Sequence, residues 1–315
     1  VNSSVYKILL IEGNQKFANK VISKISGHDF TINHCCNEIE AQHFLDKQKY
    51  DLLITELKTS ANNNADFFDF IKQNHPNLKR IVLTSENTDE FMELISQYNI
   101  GLVLNKKEPD VFYKLKSVIK QIRAPMAFRL SIYLNPHSKI ETVKVKTSKQ
   151  IEAISKEISK LYSNHQNEKN MLTMLQELLT NAVFYGARRE SAEDKSLWDH
   201  NFILDDSECI IFSHGKDEEK IVFSIMDQGG HLDKKTVLYW LNRQTTLDKN
   251  GLPKGIMDSH GRGIYIARKI TDILIINIAP GEKSECVVIN WLDQTKSCNN
   301  KPLLINEHKQ KNPLK

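Results

Sequence analysis

The chain has 315 residues, 40% of them hydrophobic and 26% charged, with a mean hydropathy of −0.43. That length exceeds one ordinary core and predicts two domains. The net charge of +4 sits in the last stretch alone, where Lys296, Lys301, Lys309, Lys311 and Lys315 stand against one acid, Glu307; the near-neutral remainder argues against a nucleic-acid-binding face.

No apolar run reaches the roughly 20 residues of a membrane span, and the start from Val1 to Lys7 lacks a signal-peptide run. Cys35, Cys36, Cys209, Cys286 and Cys298 form no CxxC pair and no metal-ligand spacing. These features predict a cytoplasmic protein with reduced thiols and no membrane partner.

In chain order, Tyr6 to Ile11 reads as a compact apolar strand, with a turn at Gly13-Asn14 and a helix from Gln15 to Ser26. A strand at 30–34 and a helix at 38–48 follow, then a strand at 51–56 and a helix from 65 to 74 that stops before Pro76. The strand at 80–84, helix at 90–98, strand at 101–105 and helix at 109–123 complete the run. Five apolar strands separated by helices predict a parallel sheet covered on both faces, an α/β flavodoxin-like (βα)5 domain over residues 1–123. Ala124-Pro125 marks the boundary.

This order resembles the receiver domain of two-component response regulators. The resemblance implies acidic metal ligands after the first strand, a phosphate-accepting aspartate after the third, a Ser/Thr after the fourth and a lysine after the fifth. Here those places hold Glu12 and Gly13, Glu56, Thr84 and Lys106, and the aromatic three residues before the lysine is Val103. Gly13 offers no ligand, and Glu56 carries its carboxylate one methylene too far. The expectation is a degenerate pseudo-receiver used for contact, with a Glu56–Lys106 ion pair imitating a fixed switch state.

Beyond the boundary, residues 128–133 and 139–145 read as strands, and 149–163 and 167–185 as helices. Strands follow near 209–213, 221–226, 273–278 and 285–291, with Gly281 turning the last pair. Strands mixed with long helices predict an α+β sandwich over 124–295, and the lysine-rich 296–315 reads as a flexible tail.

Three motifs occur in this half. Glu177 and Asn181 lie four apart on one helix face. Asp227 and Gly229 follow an apolar strand in Ile-Met-Asp-Gln-Gly-Gly-His. Gly261, Arg262 and Gly263, after His260, open a helix whose first N–H groups suit phosphate. In this order they resemble the nucleotide-binding boxes of the GHKL ATPase family, with one departure: His231 stands where a further glycine is usual.

The resemblance implies an ATP site in which Asp227 accepts the adenine amine, Asn181 holds Mg²⁺, Gly261 and Gly263 cradle phosphates, and Glu177 is the catalytic base. Arg262 or Arg243 would approach the γ-phosphate, and residues 231–260 would form a lid. His137 and His165 lie on no acceptor helix, and the Asn-Ala-Val-Phe-Tyr-Gly and Gly-Arg-Gly-Ile-Tyr phrases are most similar to the anti-sigma-factor serine kinases. That branch phosphorylates a small antagonist protein, binds a sigma factor or regulator, and often forms homodimers. A non-catalytic docking module and a histidine-kinase-related ATPase stay open as alternatives.

Overall fold

The computed structural model describes residues 5–27, 29–57, 65–108, 110–123, 128–188, 201–258 and 261–308. The chain divides into two compact units, Val1–Pro125 and Met126–Lys315. The Ala124-Pro125 boundary, His260, and the lysines at 309, 311 and 315 lie outside the described residues.

The N-terminal unit alternates β1 (Tyr6–Ile11), α1 (Gln15–Ile25), β2 (Phe30–Cys35), α2 (Glu38–Lys47), β3 (Leu52–Leu57), α3 (Ala65–Asn74), β4 (Lys79–Thr84), α4 (Met92–Gln97), β5 (Leu102–Asn105) and α5 (Val111–Arg123). The strands run parallel in the order β2-β1-β3-β4-β5, the flavodoxin-like arrangement. Consecutive residues Ile8, Leu9, Leu10 and Ile11 are all buried, so both faces of the sheet are covered. On one face Leu9, Ile11 and Leu53 meet Ala41 and Leu45 of α2 and Phe67 and Ile71 of α3. Asn14 and Asn37 cap α1 and α2 by accepting from the N–H groups of Phe17 and Glu40. In such a sheet the strand C-termini gather at one end, which brings Glu12, Glu56, Thr84 and Lys106 together.

The C-terminal unit contains β6 (Ile140–Val145), α6 (Ser148–Leu161), α7 (Glu168–Asn181), β7 (Ile210–Lys216), β8 (Lys220–Asp227), α8 (Lys234–Thr245), α9 (Arg262–Ile270), β9 (Ile273–Ala279), β10 (Lys283–Trp291) and β11 (Leu303–Glu307). Its strands lie in the order β11-β9-β10-β8-β7-β6, antiparallel except for the parallel β9–β11 pair. Thr147 and Gln150 form a reciprocal capping box that starts α6. Met171, Met174, Leu175, Leu178 and Leu179 give α7 a continuous apolar face, and α7 packs against both α6 and α9. This is an α+β arrangement.

Three local expectations are corrected. Residues Leu130–Tyr133 form a 3-10 helix instead of a strand, and the side chains of Leu130 and Leu134 are buried. Much of the expected lid, residues 234–245, is helix α8, started by Asp233 accepting from Thr236 N–H.

The region read as a flexible tail contains β11: Leu303, Leu304 and Ile305 are buried, and Leu304 to Glu307 pair with Ile275 to Ile278. The physical reason is an anchor ahead of the strand. Arg268, 3% exposed, donates to the carbonyls of Lys301 (2.7 Å) and Pro302 (3.3 Å), and the Lys301 ammonium lies 3.6 Å from Asp272. Local lysine content masked a long-range pairing.

Candidate functional site

In the C-terminal unit, Glu177 and Asn181 are half-buried, one turn apart on α7. Gly263 lies directly against both. A Cβ built on it would stand 2.6 Å from Glu177 Oε2 and 2.7 Å from Asn181 Nδ2. The first and third motifs, more than 80 residues apart, are therefore in contact through a residue without a side chain. Gly261 opens α9 at φ 78°, a left-handed conformation; among the described residues no side-chain cap is seen, and no acid occupies its first turn. Among the described residues, the first N–H groups of α9, with the positive end of the helix dipole, thus meet no side-chain cap.

The second motif joins through a wide turn. Helix α7 continues as a π turn over Ala182–Ala187, closed by Arg188 N–H donating to Val183 O at 2.9 Å. This turn carries Gly186 onto Asp227 and Gly229. A Cβ on Gly229 would lie 1.9 Å from the Gly186 carbonyl oxygen, so the two backbones touch. Single π turns inside helices are frequent at functional sites.

Asp227, 5% exposed, ends β8. Its Oδ1 accepts from Gly229 N–H (3.0 Å) and Gly230 N–H (3.3 Å), and the Ser284 hydroxyl donates to Oδ2. Burial pushes the Asp227 carboxyl up from its ordinary value, opposed by those three hydrogen bonds and by nearby His231. Ser284 escaped the sequence reading because its place opposite Asp227 is set by the β10–β8 register. A serine interrupting an apolar strand was the one local signal. His231 is exposed, while Gly230 at φ 62° takes the turn, its carbonyl accepting from Gly281 N–H at 2.9 Å.

Both arginines offered for the γ-phosphate are engaged at Asp258. Arg243 holds its carboxylate through Nε (2.6 Å) and a terminal nitrogen (2.8 Å), and exposed Arg262 donates to its backbone carbonyl at 3.0 and 2.7 Å. His137 sits in a turn at φ 72°, and His165 in the turn between α6 and α7.

At the strand ends of the N-terminal unit the arrangement is closed. The Lys106 ammonium lies 2.5 Å from Glu12 Oε2 and 2.5 Å from Glu56 Oε1. Thr84 is fully buried, and its hydroxyl donates to Leu57 O (3.3 Å) and accepts from Glu86 N–H (3.1 Å). Val103 is also fully buried. The Glu56–Lys106 pair expected from the sequence is present, and Glu12 shares it.

No family model and no curated protein matches the chain. Among solved structures it is similar to the signal receiver domain of an HD domain-containing protein from Pseudomonas fluorescens Pf-5, at 20% identity and TM-score 0.35, over 39% of this chain and 88% of that one. It is likewise similar to a response regulator from Thermotoga maritima (18%, TM-score 0.34, 38% and 97%). A phosphorylated cyanobacterial phytochrome response regulator gives 14% identity and TM-score 0.34, over 38% and 94%. The β2-β1-β3-β4-β5 strand order of the N-terminal unit is flavodoxin-like.

Proposed function

We propose that the chain is an ATP-binding signalling regulator. Its C-terminal unit is a nucleotide-binding domain of the GHKL type that acts as a serine/threonine kinase of the anti-sigma-factor kind on a small antagonist protein. The receiver-like unit serves as a regulatory contact that does not accept phosphate. The observation that carries this reading is Gly263 lying against both Glu177 and Asn181, which joins the N-terminus of α9 to a carboxylate and an amide.

The residues suit the nucleotide. The first N–H groups of α9 hold phosphate oxygens, and Asp227 accepts the adenine amine beside the close backbone of Gly229. The Asn181 amide oxygen would be the protein's ligand to Mg²⁺, whose charge would offset that of the phosphates. ATP supplies the phosphoryl group; Glu177, with no cation paired to it among the described residues, takes the proton from the acceptor hydroxyl. Glu177→Gln is expected to retain ATP binding by calorimetry and to lower transfer from labelled ATP to the antagonist protein by about a hundredfold. Equal transfer in wild type and variant would refute the assignment of the base.

A second reading, a docking module that binds nucleotide without transfer, is favoured by the enclosure of Asp227 by Gly186 and by its three donors. Wild-type protein that binds ATP and labels no partner decides for it.

A further inference from the structure

We propose that Lys106 is the resident cation of the Glu12–Glu56 pair, so that the N-terminal unit keeps its strand-end site closed with neither divalent metal nor phosphate. This rests on reading that unit as one that does not accept phosphate, and it names what takes the metal's part.

Two carboxylates come within reach of one point because β1 and β3 are adjacent and parallel and both end there. Two ionised carboxylates held side by side away from water repel one another, and a cation between them offsets that repulsion. The ammonium is that cation: it is 2.5 Å from each, and the side chains of Lys106, Glu12 and Glu56 are 8%, 1% and 14% exposed.

It is also fixed in place. Lys106 N–H donates to Thr84 O at 2.8 Å, which anchors the backbone at the end of β5. The ammonium stands 5.0 Å from the centre of the Phe17 ring on α1, a cation–π contact from a third side. The second oxygen of Glu12 accepts from Asn14 N–H at 2.9 Å, which spreads the one negative charge the triad retains.

A divalent ion fits poorly. Mg²⁺ completes its octahedron with water around one or two carboxylates, but the Lys106 ammonium holds the point where Glu12 and Glu56 would ligate it, and Gly13 adds no third carboxylate. An entering ion would leave a buried ammonium beside a double positive charge. The consequence is regulatory: a partner that reads this face reads one constant state, set by the amount of protein and independent of a phosphodonor.

The test uses the full chain without nucleotide and measures hydrogen exchange in peptides covering residues 5–15 and 100–108, in EDTA and in millimolar MgCl2. Wild type is expected to exchange identically in both. In Lys106→Met the same peptides are expected to exchange roughly tenfold faster or more in EDTA, and MgCl2 is expected to restore protection. Removing one carboxylate as well, in Lys106→Met/Glu56→Gln, should abolish the response to MgCl2.

Protection of the wild-type peptides by MgCl2, or a Lys106→Met chain indifferent to it, overturns the proposal. If Lys106→Met does not fold in EDTA, Lys106→Gln, whose amide still donates, is read the same way. Failure of both to gain structure in MgCl2 also overturns it. Incubation of wild type with acetyl phosphate separates the two claims: a base-labile adduct seen by intact mass refutes the non-phosphorylatable reading, whatever the exchange data say.

Discussion

At the ends of β1, β3 and β5, two carboxylates and an ammonium satisfy one another; where α7, β8 and α9 meet, Glu177 has no paired cation and the helix beside it no side-chain cap among the described residues. Both places gather acids next to glycines, Gly13 in one and Gly263 in the other. What separates them is how the charge is balanced. A lysine fixed in the first fills the position a metal would take. In the second, on the proposed function, backbone N–H groups and an amide would meet a ligand that brings its own negative charge. A buried constellation balanced from within suits a constant surface, while one left short of partners suits binding.

The comparison is broken most severely by filling the backbone contact on which the second site depends. Gly229→Ala places a methyl 1.9 Å from the Gly186 carbonyl oxygen, a backbone atom that cannot swing aside. The π turn and the β8 exit must separate, and the expected loss is about 3 kcal/mol. Urea unfolding that assigns separate transitions to the two units should show the loss in the C-terminal unit alone. An unchanged midpoint would mean that the contact between the first and second motifs contributes nothing to stability.

Much of this contrast could be read in the sequence, and the unread parts have one cause. The alternation of apolar strands and amphipathic helices through residue 123 is local, so the flavodoxin-like unit was visible residue by residue. Glu177 with Asn181, and Gly261 with Gly263, are also local patterns, because helical spacing and a helix start need only a few neighbours. Ser284, β11 and the sharing of Lys106 by Glu12 depend on strand register and on contacts between distant segments. Leu303-Leu304-Ile305 was a short apolar run after Pro302 that local composition buried among lysines. Phe128 to Tyr133 had strand-like composition yet became a 3-10 helix, with the Tyr133 hydroxyl bonded to Asn277 Nδ2 at 3.1 Å. Tertiary partners outweighed propensity there.

A smaller change sharpens the contrast by altering charge without shape. Asp227→Asn keeps an oxygen for the N–H groups of Gly229 and Gly230, and the Ser284 hydroxyl can turn to accept from the new amide. Stability should therefore hold. The adenine amine, in the proposed mode, would meet a donor instead of an acceptor, which weakens ATP binding roughly tenfold to a hundredfold, or about 1–3 kcal/mol. Calorimetry at matched stability measures this, and unchanged affinity would remove Asp227 from the pocket.

The smallest expected effect concerns a carboxylate that belongs to neither site but adjoins one. Glu285 follows Ser284 on β10 and, by strand alternation, points to the opposite face. It is 2% exposed, and its oxygens accept from Ser224 Oγ at 2.5 Å and Asn277 Nδ2 at 2.9 Å. Burial raises its pKa above the ordinary 4.5, opposed by those two bonds and by Lys283. Asp227 is raised as well, from 3.8. For an acid whose folded pKa is raised, the folded chain holds the proton more tightly than the unfolded one. The resulting stability is complete below the unfolded value and is lost as pH rises through the folded value. Glu285→Gln keeps a neutral side chain of the same shape, so it should remove this acid's share of the decline above about pH 4.5. Denaturant midpoints taken from about pH 5 to about pH 8 give the slope. A variant whose slope matches wild type would show that the two hydrogen bonds offset burial completely.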